Sequence, residues 1–254
     1  MATDGQQALA GKVALITGAV RRIGRATALR LAANGAAVVV NARSSALEAA
    51  DVVREIEAAG GRAIHHLADV TDEAQVQAMA DRVLQSFGRV DILVNNAANR
   101  KQSPFTEMSF AEWREITGVM LDGAFLCARA VLPAMVAQGG GTIVNIGGLS
   151  GHTGAFNRAH VATGKAGLVG LTKALAVEFA DKGVTVNCVA PGKIGGKRAA
   201  SAGESVSIPG GGEPLVGRAG TPEDVAAMIL TLCLPTGGFV TGQTIHINGG
   251  LYLP

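Results

Sequence analysis

Short apolar runs rich in valine and isoleucine alternate along the chain with longer stretches rich in alanine and leucine. The short runs cover residues 13–17, 37–41, 63–67, 92–95, 142–146, 185–190 and 244–247. Several are apolar at successive positions, the pattern of parallel strands covered on both faces. Between them the pattern predicts helices near 24–34, 45–59, 73–86, 109–137, 162–181 and 222–233. Thr71 before Asp72 and Glu73, and Thr221 before Pro222, Glu223 and Asp224, read as N-caps with acids in the first turn. Gly35, Gly60 and Gly183 fit C-terminal stops. Strand–helix alternation predicts an α/β fold, a doubly wound parallel sheet of Rossmann type in three layers, as a single domain over residues 1–254. One segment breaks the alternation. Residues 193–213 are rich in Gly, Ser and Ala, and so long a loop inside a compact domain predicts a lid over the ligand crevice.

Composition narrows the classes. A chain of 254 residues is long enough for one large α/β domain with a full core. With 48% hydrophobic and 17% charged residues it is not a disordered chain. A net charge of +2 is too small and too dispersed to argue for a nucleic-acid partner. Cys127, Cys188 and Cys233 make no CxxC pair, so neither a disulfide framework nor a metal site is indicated. The first ten residues lack the pattern of a signal peptide, and the apolar runs read as too short and too glycine-interrupted to span a bilayer. A cytoplasmic protein without a membrane partner is expected.

Thr17-Gly18-Ala19-Val20-Arg21-Arg22-Ile23-Gly24 follows the first predicted strand and opens the first helix. Glycine at both ends permits a tight turn and close approach of a pyrophosphate to the helix N-terminus. The second strand runs into Asn41-Ala42-Arg43-Ser44, where a dinucleotide ribose would sit. An acid there goes with NAD. Arg43, with Arg21 in the glycine loop, instead offers two guanidiniums to a 2′-phosphate, which predicts NADP(H).

Further signals fall at strand ends: Ala68-Asp69-Val70, Asn95-Asn96-Ala97-Ala98 and Pro191-Gly192-Lys193-Ile194, with Lys165-Ala166-Gly167 on a helix. Together they resemble the short-chain dehydrogenase/reductase family across essentially the whole chain. The resemblance implies that Gly18, Arg21, Ile23 and Gly24 hold the pyrophosphate side and that Asp69 and Val70 hold the adenine. It implies that Asn96, Ala97 and the neighbouring Ala98 lie along the cofactor, and that Ile194, after Pro191 and Gly192, contacts the nicotinamide. Arg22 stands where most members carry the middle glycine, as in the pteridine reductase subgroup. A small-molecule substrate and a homo-oligomer, dimer or tetramer, built on helices 109–137 and 162–181 also follow from the resemblance.

The proton-handling residues of that family do not carry over. Its acid is a tyrosine four residues before the lysine, which here is Val161. Its hydroxyl falls at Gly148 and its helix asparagine at Met120. Of the four catalytic side chains only Lys165 remains, expected to hold the nicotinamide ribose hydroxyls. The single tyrosine of the chain is Tyr252, two residues from the C-terminus. Loss of a positioned acid costs about 10²–10⁴-fold in rate, and loss of the hydroxyl removes a further charge-stabilising hydrogen bond.

Three substitutes are open. Ser150 would share the face of Gly148 if the strand continued. His160 precedes Val161 but is turned from it by about 100° on a helix. His152 lies in the loop between. His65 and His66, on the adenine side, read as structural. Asn99, Arg100 and Lys101, Arg158, and Lys193, Lys197 and Arg198 rim the crevice; they read as an anionic-substrate site or, equally, as a solvated basic face. Three functions are compatible with this pattern. The first is an NADP(H)-dependent oxidoreductase acting at a C=N or iminium carbon of a pterin- or folate-like substrate, which needs no acid. The second is an alcohol/ketone oxidoreductase with a substitute acid, and the third a catalytically silent NADP(H)-binding protein.

Overall fold

The computed structural model describes residues 7–195 and 212–254. Among these, β1 (Val13–Ile16), β2 (Ala37–Ala42), β3 (Arg62–Leu67), β4 (Ile92–Asn95), β5 (Gly141–Ile146), β6 (Val184–Pro191) and β7 (Thr244–Ile247) form one sheet. Its order is β3-β2-β1-β4-β5-β6-β7, and every neighbouring pair is parallel. The helices are α1 (Arg22–Ala33), α2 (Ala46–Ala58), α3 (Glu73–Phe87), α4 (Phe110–Ala137), α5 (Ser150–Thr153), α6 (Ala159–Phe179) and α7 (Pro222–Cys233).

The unbroken apolar runs of β1, β2 and β4 are explained by burial at every position. Successive side chains of a strand point to opposite faces, so two cores form. Ala14, Ile16, Val38 and Val40 meet Leu31 of α1, Ile56 of α2 and Ile229 of α7 on one face. Val13, Leu15, Val39 and Leu93 meet Met79 of α3 and Val131 and Met135 of α4 on the other. The chain winds outward in both directions from the β1–β4 junction, and the crevice at the C-terminal edge of the sheet there is where an open α/β sheet binds its ligand.

Some boundaries differ from the sequence expectation. Asp72, not Thr71, caps α3, accepting from the Gln75 backbone N–H; Thr71 instead donates through its N–H and hydroxyl to Asp69 Oδ1. α1 and α6 begin two and three residues earlier than expected, and α5 was not predicted. Thr221 and Asp224 form the expected reciprocal cap on α7. α4 corrects the membrane expectation: its 28 residues are long and apolar enough to cross a bilayer by length and composition. It is nonetheless a layer of this fold, with Met120, Val131 and Met135 in the buried cores. Within the predicted lid, residues 196–211, including Lys197 and Arg198, lie outside the described residues. Its two ends meet where Lys193 Nζ lies 2.5 Å from Glu213 Oε1.

Candidate active site

Hydrogen bonds between side chains and backbone tie the ends of β1 and β4 together. Thr17 Oγ1 accepts from the backbone N–H groups of Asn96 and Ala97, both at 3.0 Å. Asn96 Nδ2 donates to the carbonyls of Thr17 and Gly18, both at 2.9 Å. Gly18 has φ +60, and a Cβ on Gly24 would stand 2.4 Å from the Gly18 carbonyl and 2.6 Å from Asn96 Nδ2. Only glycine at both positions lets α1 start this close to the turn, leaving bare backbone at a helix N-terminus that suits a pyrophosphate. Ile23 is buried beneath it.

Asn41 needs a correction. Its side chain is buried, accepting from Gly18 N at 3.3 Å and donating to Ala68 O at 3.1 Å. It props the glycine loop from below and presents nothing to a ribose. Arg43 and Ser44 are exposed in the turn after β2. Arg21 places its guanidinium on Glu48 of α2, with contacts of 2.6–3.0 Å. Arg22 has φ +50, a left-handed conformation costing on the order of 1–2 kcal/mol outside glycine. Its Nη2 donates to the Ile194 carbonyl at 3.1 Å, joining the glycine loop to the segment after β6.

The remaining cofactor candidates line the same edge. Asp69 is half-buried and braces Thr71, while Val70 is buried against α4, where a Cβ on Gly123 would stand 2.7 Å from Val70 Cγ2. Pro191 ends β6, and Gly192 lies so near Asn248 that a Cβ would come within 2.6 Å of Asn248 Cβ. Ile194 is buried and bridges to Gly220.

At the other side of the crevice Lys165 is buried on α6, and its Nζ donates to the Ile146 carbonyl at 2.6 Å. Burial first, then the Arg100 charge, pull its pKa down to about 7. Gly148 puts no side chain beside it: a Cβ there would lie 3.7–3.9 Å from Cγ, Cδ and Cε of Lys165, an ordinary contact. Ile116 and Met120 of α4 and Val161 of α6 form a buried apolar cluster, with Ala98 packed on it. Met120 fits because α6 carries Gly164, where a Cβ would stand 2.7 Å from Met120 Cε.

The substitute acids fare differently from expectation. The His160 ring is wholly buried; its Nδ1 accepts from Val161 N at 3.0 Å and its Nε2 lies 3.3 Å from Glu112 Oε1. It braces the start of α4 and is not open to the crevice. The strand ends at Ile146 and Ser150 opens α5, so the shared-face argument for Ser150 fails. His152 packs instead on β7 and the C-terminal segment, edge-on to His246 with ring centres 4.5 Å apart and 6.1 Å from Tyr252. On the rim, Asn99 Nδ2 reaches Glu115 Oε1 at 3.4 Å and Arg100 is half-buried; Arg158, expected there too, is instead buried at the start of α6.

Comparison with known proteins decides the family. Residues 18–252 match the family model described as enoyl-(acyl carrier protein) reductase. A 3-oxoacyl-[acyl-carrier-protein] reductase of Synechocystis sp. is 40% identical over 252 residues, covering 97% of this chain and 99% of the relative. The chain belongs to the short-chain dehydrogenase/reductase family. The 3-oxoacyl-[acyl-carrier-protein] reductase FabG of Escherichia coli is 38% identical over 249 residues, 96% of this chain and 98% of that one. Among solved structures, acetoin dehydrogenase YohF of Salmonella typhimurium superposes with a TM-score of 0.84 at 34% identity, covering 94% and 95% of the two chains.

This short-chain dehydrogenase/reductase also carries a buried polar ladder that sequence reasoning missed. Asn95 Nδ2 donates to Asn145 Oδ1, and Asn145 Nδ2 to Thr172 Oγ1, both at 2.9 Å. It ties β4 and β5 to α6 two turns beyond Lys165, and so fixes the seat of the lysine helix. Asn95 closing one apolar run and Asn145 one residue before the close of another were the available signal.

Proposed function

We propose that this chain is an NADP(H)-dependent oxidoreductase moving a hydride to or from the carbon of a C=N bond in a small anionic substrate. The observation that carries this is the Ile116–Met120–Val161 cluster, together with the side-chain-free Gly148. Hydride addition to a ketone develops an alkoxide that wants a proton, whereas addition to an iminium carbon discharges a cation. Such a site can work through positioning.

Gly18, Arg21, Arg22, Ile23 and Gly24 would hold the pyrophosphate, Asp69 and Val70 the adenine, and Asn96, Ala97 and Ala98 the face of the cofactor. Arg43 and Ser44 would take the 2′-phosphate; Arg21 shares its charge with Glu48, so Arg43 carries more of the selection. Pro191, Gly192 and Ile194 would back the nicotinamide, and Lys165 its ribose. When bound, NADPH supplies the hydride. Arg100 and the buried Arg158, with Asn99, would attract the anionic end of the substrate; His152 is packed against His246. A cytoplasmic homodimer or homotetramer belongs to the same reading, supported by Phe125 and Val177, exposed on α4 and α6.

Ketone reduction is the second reading, favoured by the 3-oxoacyl-[acyl-carrier-protein] reductases among the relatives. NADPH deuterated at the transferred hydride separates the two. Deuterium is expected on the carbon of a cyclic iminium substrate by mass spectrometry; rapid labelling of a ketone alone replaces the first reading with the second.

A further inference from the structure

We propose that Lys165 itself exchanges a proton with the substrate nitrogen, giving it to a neutral imine before reduction and taking it back during oxidation. The inference rests on the C=N reading above.

The geometry singles out this group. Gly148 puts no side chain over the lysine stem: a Cβ there would meet Cγ, Cδ and Cε of Lys165 at 3.7–3.9 Å, so residue 148 offers no hydroxyl beside the lysine. The nearby cluster of Val161, Met120 and Ile116 has no proton to give, and the rings of His160 and His152 are taken up by Glu112 and His246. The ammonium spends one N–H on the Ile146 carbonyl, which aims the side chain and leaves two N–H bonds. Facing groups from the neighbouring elements are few. The loop after β4 brings Arg100 and β6 brings Cys188, whose thiol burial holds neutral by raising it to about 11. α4 brings Met120 beside Gly164, and β5 its final carbonyl. Among the described residues these facing groups include no carboxylate, and burial and then the Arg100 charge favour the neutral amine.

The step balances. An Nζ–H bond of the ammonium breaks and an N–H bond forms on the imine nitrogen, leaving a neutral lysine and a cationic iminium. The hydride pair from NADPH then reaches the carbon, giving an amine and NADP⁺. A solvent proton restores the ammonium.

Two substrates test it: a neutral cyclic imine and its N-methylated cation, which needs no proton. In Lys165→Arg, and in Lys165→Met as a second variant retaining the stem, weakened ribose contacts lower both rates alike. The neutral-to-cationic ratio of kcat/KM is expected to fall a further 10²-fold or so. Independently of turnover, NMR of protein labelled at lysine Cε should show one signal titrating near neutral pH that is missing from Lys165→Arg. Equal losses on both substrates, or no lysine titrating below the usual range, overturn the proton role and leave Lys165 a positioning residue. Turnover of neither substrate by the natural chain overturns the C=N reading and this step with it.

Discussion

Met120 on α4 and Val161 on α6 lie in one closed apolar cluster, 1% and 3% exposed, with Val161 one helical turn before the buried Lys165. The contact is built for hydrocarbon on both sides: Gly164 on α6 makes room for the methionine, and Ile116 closes the cluster from one turn earlier on α4. Met120→Ala should therefore cost about 2–5 kcal/mol of stability through the cavity it opens. Chemical denaturation checks this; an unchanged midpoint would mean the cluster is not a packed element.

Cofactor binding should depend on bare backbone at Gly24. Gly24→Ala drives a Cβ into the Gly18 carbonyl, so NADPH affinity by fluorescence titration should fall at least tenfold while the sheet still folds. Arg43→Ala should lower the preference for NADPH over NADH on the order of tenfold, more than Arg21→Ala does, because Arg21 already shares its charge with Glu48. Equal losses in the two arginine variants would contradict that ranking.

The strands and long helices were legible because parallel strands under helices on both faces must be apolar at consecutive positions, and the two cores at Ile16 and Leu15 show the result. The glycine loop was legible because a tight turn leaves few residue choices. Side-chain direction was not. His160 lies one residue from Val161, yet its ring turns to Glu112 of α4, 48 residues earlier in sequence. Asn41 sits at the expected strand end but points under the loop, where Gly18 and Ala68 supply its partners. Ser150 would share the face of Gly148 only on a continuing strand, and the strand stops four residues earlier. Such contacts are tertiary, and local pattern does not encode them.

The His152–His246 pair gives the fold a pH dependence. Burial first, then Lys173, holds His152 below the usual histidine range; burial and then His152 do the same to His246. The folded state thus binds fewer protons than the unfolded chain. Its stability from these groups is complete above about pH 6.5 and is lost as pH falls through the lowered values. Melting temperature followed from pH 7.5 to 5 should drop less in a His152→Phe/His246→Phe variant than in the natural chain. Parallel curves would show that the pair does not carry the effect.

Restoring the family's side chains tests the central claim most directly. The measurement is kcat/KM on a simple ketone with NADPH, for the natural chain and for Met120→Asn/Gly148→Ser/Val161→Tyr. The natural chain should be slow, and the triple variant faster by about 10²–10⁴-fold, a gain removed by a further Lys165→Met. Rapid ketone turnover by the natural chain, not improved in the triple variant, would contradict the account.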